Sequence, residues 1–243
     1  MKDVKLKIVS NKKIAKNTYE CILSGDASDI RAPGQFVNIK LDGFYLRRPI
    51  SVCDATQNSL TIIYKVVGDG TEKMANTEVG CEWLTLTGLG NGYDTAPSGE
   101  RPLLIGGGAG VPPMYMLAKK LISEGKSVTV ILGFNTAEEI FYKDEFEALG
   151  ARVIVATADG SVGVKGFVTD AMQGLSYTYF YTCGPEPMLK AVYAASESSG
   201  QFSFEERMGC GFGACMGCSC KTKYGNKRIC RDGPVLTKEE IIW

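Results

Sequence analysis

Nine cysteines and no histidine set the chemistry open to this chain. Four of the cysteines follow the spacing Cys210-x4-Cys215-x2-Cys218-x11-Cys230, in a segment that also carries Gly209, Gly211, Gly213 and Gly217. C-x4-C-x2-C…C is the plant-type [2Fe–2S] spacing, in which thiolates hold two irons. Glycines there let the backbone fold tightly and aim N–H groups at the sulfurs, which also tunes the potential. Three other readings compete. A zinc site more often shows two C-x2-C pairs, and only one is present. A redox C-x2-C dithiol leaves Cys210 and Cys230 unexplained. Disulfides belong with secretion. Cys220 lies outside the pattern and is expected to be a packed bystander, while Cys21, Cys53 and Cys81 are expected to be buried apolar thiols. The missing histidine excludes Ser-His-Asp and Cys-His catalysis, Rieske centres and His-containing zinc fingers. Any proton or electron chemistry must therefore use a cofactor as its reactive centre.

Several short stretches, one of them glycine-rich, point to a nucleotide. "LLIGGGAGVPPM" (103–114) reads as a strand, a loop of Gly106, Gly107, Gly108, Ala109 and Gly110, and a helix. Small residues let a pyrophosphate approach the backbone, and the helix N-terminus supplies N–H groups and the positive dipole end. The match to G-x-G-x-x-G is incomplete, because Val111 takes the third glycine position; a plain strand–helix turn is the alternative. "YTCGPEPML" (181–189) ends a later strand and places Cys183 and Gly184 at the carboxyl edge where such sheets bind ligands. Asn135, Glu138 and Glu139 offer no single obvious ribose ligand, so NAD and NADP stay open at this point. In "LRRPISV" (46–52), Arg48 can pair with a phosphate and Ser51 can hydrogen-bond a ring heteroatom, although adjacent arginines on a strand are often only solvated. In "IIYKVVGDGT" (62–71), Gly70 and Thr71 offer N–H and hydroxyl donors to a further phosphate oxygen.

The elements that must position these residues fall into three regions. Residues 1–98 read as short β-runs ("VKLKIVSNKKI", "TYECILSG", "GQFVNIKL", "SLTIIYKVVG", "CEWLTLTGLG") separated by turn residues, which suggests a small barrel. "TAPSGERP" (95–102) marks the boundary. Residues 99–205 alternate strands with helices, the pattern of βαβ units on a parallel sheet; helices are expected over "PPMYMLAKKLISEG", "EEIFYKDEFEALG", "VTDAMQGL" and "EPMLKAVYAASESSG". Residues 206–243 are too few to build a core and need a metal or cross-links. Lys+Arg and Asp+Glu are equal at 27 each, which argues against nucleic acid as a partner. No apolar run approaches the roughly 18 residues of a membrane span, and no signal peptide is visible, so a cytoplasmic protein is expected.

Taken together, "RRPIS", "GGGAGVPPM" and "CGPEPML" resemble the ferredoxin-reductase superfamily. "ERMGCGFGACMGCSCKT" and "ICRDGPVLTKEEIIW" narrow the resemblance to the electron-transfer subunits of dihydroorotate dehydrogenase B, as do "YKVVGDGT", "GLGNGY" and "ADGSVGVKGFVTD". The resemblance spans essentially the whole chain. It implies a flavin-binding β-barrel, a Rossmann-like domain with a parallel sheet, and a C-terminal [2Fe–2S] domain. By position it implies that FAD is held by Arg48, Pro49, Ile50 and Ser51, with Ile63, Tyr64, Lys65, Gly70 and Thr71 as further contacts. Cys210, Cys215, Cys218 and Cys230 would be the cluster ligands. The superfamily often has a stacking tyrosine where Ile50 stands. The implied activity is a relay between NAD and a partner catalytic subunit that holds FMN and oxidises dihydroorotate in pyrimidine (UMP) biosynthesis, in a heterotetramer of two catalytic and two relay subunits. A reductase subunit with the same cofactors and another partner, of the NAD(P)H:ferredoxin or sulfhydrogenase type, is the alternative. A zinc-stabilised nucleotide-binding module without redox chemistry is a third reading.

Overall fold

A computed structural model describes all residues, 1–243. The first six strands are β1 (Lys2–Ala15), β2 (Thr18–Ser24), β3 (Phe36–Lys40), β4 (Arg48–Ala55), β5 (Ser59–Lys65) and β6 (Glu82–Leu89). They close into an antiparallel barrel in the order β1-β2-β5-β4-β3-β6. Alternation builds it: in β1, Leu6 and Ile8 are buried inside while Lys5 and Lys7 face solvent. A short helix, α1 (Asp69–Ala75), follows β5 where the sequence suggested only a loop. Its start is closed by the Thr71 hydroxyl, which accepts from the Val67 N–H at 2.9 Å and donates to the Gly68 carbonyl at 2.9 Å.

A 3-10 turn at Ala96–Ser98 leads into the second sheet. Its strands are β7 (Pro102–Gly107), β8 (Thr129–Phe134), β9 (Arg152–Thr157), β10 (Val164–Lys165), β11 (Tyr179–Cys183) and β12 (Gly200–Ser203), all parallel. β7 and β11 are buried along their whole length, as strands covered on both faces must be. The covering helices are α2 (Pro112–Ser123), α3 (Lys143–Ala148), α4 (Val168–Met172) and α5 (Glu186–Ala195). α2 starts on Pro112 and Pro113 as expected, and Gly125, at φ +79°, ends it by donating to the Ile122 carbonyl. The expected helix from Glu138 is shorter than the sequence suggests. A 3-10 turn at Ala137–Glu139 comes first, and Tyr142 at φ +64° breaks the path before α3 begins.

The C-terminal segment does not stand alone. A hairpin, β13 (Ser219–Thr222) with β14 (Gly225–Arg228), leads to a single turn, α6 (Ile229–Asp232), and to β15 (Val235–Thr237). β15 pairs antiparallel with β12 and so becomes the edge of the second sheet, whose order is β10-β9-β8-β7-β11-β12-β15. Cys218, Ile229, Cys230, Leu236 and Ile241 share one buried cluster with Phe180 and Phe202 of that sheet. This is how forty residues without a core of their own are packed. Polar ties also join barrel and sheet: Lys65–Glu139 at 3.1 Å, Lys119–Asp54 at 2.7 Å, and the Tyr142 hydroxyl donating to Glu20 at 2.7 Å. No helix is long and apolar enough to cross a membrane. Cys21 and Cys53 are buried as expected, but Cys81 is exposed, because it lies in the turn before β6 rather than on the inward face of a strand.

Candidate functional site

The four spaced cysteines fall into two neighbouring pairs. Cys210 receives N–H bonds at its sulfur from Ala214 (3.2 Å) and Cys215 (3.4 Å), and Cys218 receives one from Cys230 (3.4 Å). Burial pushes the Cys210 thiol up, but the N–H groups of Cys215, Phe212 and Ala214 outweigh it and bring the thiol down to about 6. Burial, then the adjacent Cys218 and Cys210, push Cys230 up to about 12. Crowded thiols that resist ionising together are relieved by a cation, which is what metal ligands require. Two pairs suit a two-metal centre better than one tetrahedral ion, which needs all four sulfurs about 2.3 Å from one point. Cys218 and Cys230 are buried, whereas Phe212, Ala214, Cys215 and Met216 form an exposed rim, with Arg228 and Arg231 against Gly213 within it. Gly211, at φ +79°, lies against the Asn38 side chain, and a Cβ there would overlap the Asn38 amide nitrogen.

Cys220 sits on β13 and borders a cavity of about 240 Å³ shared with Gly184, Leu189, Phe204 and Trp243. Burial raises its thiol, and no N–H group of the 210–218 loop reaches its sulfur. Cys220→Ala is therefore expected to leave the iron content unchanged; iron loss measured by metal analysis would make Cys220 a ligand in place of one of the four.

On the barrel, the Arg48 guanidinium lies 4.6 Å over the Phe44 ring and fills the space above Gly70, where a Cβ would collide with it. Arg48 and the N-terminal turn of α1 thus converge, a cradle of positive charge and free N–H groups suited to a pyrophosphate. The Thr71 hydroxyl takes no part in the cradle, because it is engaged with Gly68; its backbone N–H is what remains. Ile50 packs against the barrel core instead of standing out as a platform, and Ser51 and Pro49 lie opposite Phe36 and Asn38 of β3.

The glycine loop crosses to the barrel. Ile63, Tyr64 and Lys65 of β5 line one cleft with Gly108, Ala109 and Glu139. Tyr64 itself is buried, stacked on Tyr19 at 5.9 Å and donating to Asn11 at 2.8 Å. Behind the loop, Gly110 abuts the Cys183 carbonyl and Gly107 abuts the Met188 sulfur, so the "GGGAG" and "CGPEP" turns meet at the carboxyl edge of β7 and β11. The Cys183 thiol is buried and pushed well up by that burial. Gly110→Ala is expected to destabilise by about 1–3 kcal/mol, roughly 2–12 °C in melting temperature, because its Cβ meets backbone that cannot give way. An unchanged calorimetric melt would contradict this.

The structure adds two residues that the motifs did not indicate: Asn38 donates to the Cys210 carbonyl at 3.2 Å, and Phe44 lies beneath Arg48. Neither carries a signal in a single sequence. Glu139, a ribose candidate in the sequence, pairs with Lys65 across the cleft while accepting from Asn135 Nδ2 at 2.9 Å.

Comparison with known proteins adds the following. Residues 205–242 match the family model described as the iron-sulfur cluster binding domain of dihydroorotate dehydrogenase B, and residues 104–194 match the oxidoreductase NAD-binding domain. The electron transfer subunit of dihydroorotate dehydrogenase B (NAD(+)) from Fusobacterium nucleatum subsp. nucleatum is 45% identical, covering 96% of each chain. Its counterpart from Geobacillus sp. strain WCH70 is 44% identical over 100% of this chain and 99% of its own. Among solved structures, an NADH-dependent reduced ferredoxin-NADP oxidoreductase, studied for flavin-based electron bifurcation, superposes with a TM-score of 0.89 at 30% identity, covering 98% of this chain and 90% of that one. The FAD/NAD-binding domain of a nitric oxide dioxygenase from Vibrio cholerae O1 biovar El Tor shares the fold, with a TM-score of 0.69 at 22% identity over 80% of this chain and 92% of that one.

Proposed function

Because this chain belongs to the family of dihydroorotate dehydrogenase B electron transfer subunits, we propose that its three sites form one relay between NAD and a catalytic partner subunit. It is an oxidoreductase subunit of pyrimidine biosynthesis that uses FAD, a [2Fe–2S] cluster and NAD. Bound FAD would supply the hydride exchange with NAD(H), and the cluster held by the four spaced cysteines would supply one-electron transfer. The remaining roles belong to the protein. Arg48, with the N–H groups of Gly70 and Thr71, binds the flavin pyrophosphate. Pro49 and Ser51, with Ile63 and Lys65, wall the flavin, and Ile50 and Tyr64 back that wall from the barrel core. Gly106, Gly107, Gly108, Ala109 and Gly110 let the dinucleotide approach the backbone, and Cys183 and Gly184 close the nicotinamide end. Cys210, Cys215, Cys218 and Cys230 hold the two irons. In this reading residues 1–98 serve the flavin, 99–205 the NAD and 206–243 the cluster.

The partner is read as an FMN-containing dihydroorotate dehydrogenase catalytic subunit, docking over the exposed rim around Cys215 in a cytoplasmic assembly of two plus two subunits. The observation that carries the proposal is the pairing of Cys210 with Cys215 and of Cys218 with Cys230, against a barrel strand that reaches Cys210 through Asn38. A ferredoxin-coupled role is less favoured, since identity to that type is 30% against 45% and 44% here. The test is a visible spectrum with iron, sulfide and flavin analysis of protein purified anaerobically with its partner. The expected result is one FAD and one two-iron cluster per chain together with a co-purifying FMN subunit. Stoichiometric zinc, or no inorganic sulfide, would overturn the reading.

A further inference from the structure

We propose that Arg228 is a positioning residue that clasps the two ligand-bearing loops of the cluster site together and keeps a positive charge beside them. This rests on the cluster reading above. Arg228 ends β14, two residues before Cys230, and caps the single turn α6. The loop from Cys210 to Cys215 lies across from it and needs outside support. Its glycines lose more conformational freedom on ordering than other residues do. Its N–H groups at Ala214 and Cys215 are engaged by the Cys210 sulfur, which leaves carbonyls to anchor it. Two are anchored. The Cys210 carbonyl accepts from Asn38 on the barrel, and the Gly213 carbonyl accepts from Arg228 Nη1 at 3.0 Å.

Asp232 sets the arginine for that contact. Its Oδ2 accepts from the Arg228 backbone N–H at 3.0 Å and from Arg228 Nε at 3.1 Å, across one turn of α6. A guanidinium is a rigid planar fork, so fixing Nε aims the outer edge at Gly213. The other flank of Cys230 completes the clasp. Arg231 lays its aliphatic stem on Gly213, where φ is +92° and a Cβ would stand 2.7 Å from Arg231 Cδ. Gly213 is accordingly buried, although Phe212, Ala214 and Cys215 around it are exposed. The segment that carries Cys230 and the loop that carries Cys210 and Cys215 are thus joined directly, without the barrel. The Arg228 side chain is 22% exposed and Asp232 33%, so solvent screens the charge only in part. A cation there favours the reduced, more negative cluster and raises its potential.

The test compares the complete holoprotein, with its partner, as wild type, Arg228→Lys and Arg228→Gln. Lysine keeps the charge without the fork, and glutamine keeps neither. Two quantities are read: the rate of iron release to a chelator, from loss of cluster absorbance, and the cluster potential with its EPR g-values in a redox titration. Arg228→Gln is expected to release iron about 10–100-fold faster, the cost of losing an outer partner of a metal site. Its reduction equilibrium is expected to shift about tenfold against reduction, about 59 mV for one electron. Arg228→Lys is expected to release iron in the same faster range while recovering most of the potential. A wild-type potential in the glutamine variant, or wild-type iron release in the lysine variant, overturns the proposal. If the glutamine variant holds no cluster, the lysine variant decides, and only faster release at a near-wild-type potential supports the clasp. Loss of iron from both variants, with or without FAD, would make Arg228 a residue of assembly alone and overturn the proposal equally. Zinc in place of iron, or no inorganic sulfide, in the wild-type protein would overturn the cluster reading itself, and this proposal with it.

Discussion

Protein carrying Cys215→Ser is expected to be isolated with FAD bound and without its cluster. Cys215 is the exposed member of its pair, and its backbone N–H already serves Cys210. Serine offers a hard, protonated hydroxyl where iron–sulfur chemistry needs a soft thiolate. The three remaining thiols then lack a complete set of ligands for the cation, and burial, with Cys218 and Cys210 beside it, keeps the Cys230 thiol high. Electron delivery from NADH to the partner should fall by more than about a hundredfold, beyond the 10–100-fold that loss of an outer-sphere partner costs. The flavin should stay, because Arg48, Phe44 and Gly70 assemble on the barrel independently of the cluster loop. The check is iron analysis with low-temperature EPR beside the visible flavin bands; an unaltered cluster signal would refute the ligand assignment.

Arg48→Ala is expected to have the second largest effect, on FAD retention. The guanidinium is stacked on Phe44 and poised over the start of α1, so its loss removes one charged phosphate partner and the wall that shapes the cradle. A hydrogen bond to a charged group contributes about 1.5–3 kcal/mol, hence about 10- to 150-fold weaker FAD binding. The cluster should remain at full iron content. Flavin-to-protein ratios after gel filtration measure this directly, and full occupancy would count against the assignment.

Much of this was legible before the fold was known, for identifiable reasons. Fixed spacing singles out Cys210, Cys215, Cys218 and Cys230 as candidates, because ligand geometry constrains sequence distance directly, and the structure brings Cys210 beside Cys215 and Cys218 beside Cys230. β-branched alternation marks the barrel strands, and Pro112–Pro113 with Gly125 marks both ends of α2. What stayed hidden depends on tertiary neighbours. α1 is stabilised by its Thr71–Gly68 closure and by burial of Met74, neither of which shows as periodicity in seven residues. In "FVNIK", Asn38 reads as a solvent-facing strand residue; only the returning cluster loop buries it. Phe44 needs Arg48 above it to have a role. Cys81 was misplaced because a short run beginning at a cysteine does not reveal where the strand begins, and its first ordered residue is Glu82.

The antiparallel seam between β15 and β12 bears on how this molecule can be taken apart. A chain ending before residue 206 would leave β12 as a bare edge and strip the cover from Phe180 and Phe202, inviting edge-to-edge association. The iron-carrying segment is thus no detachable accessory: a reductase built on this sheet could shed it only by acquiring another strand in its place, and grafting it onto a foreign scaffold would mean transplanting a matching edge along with it.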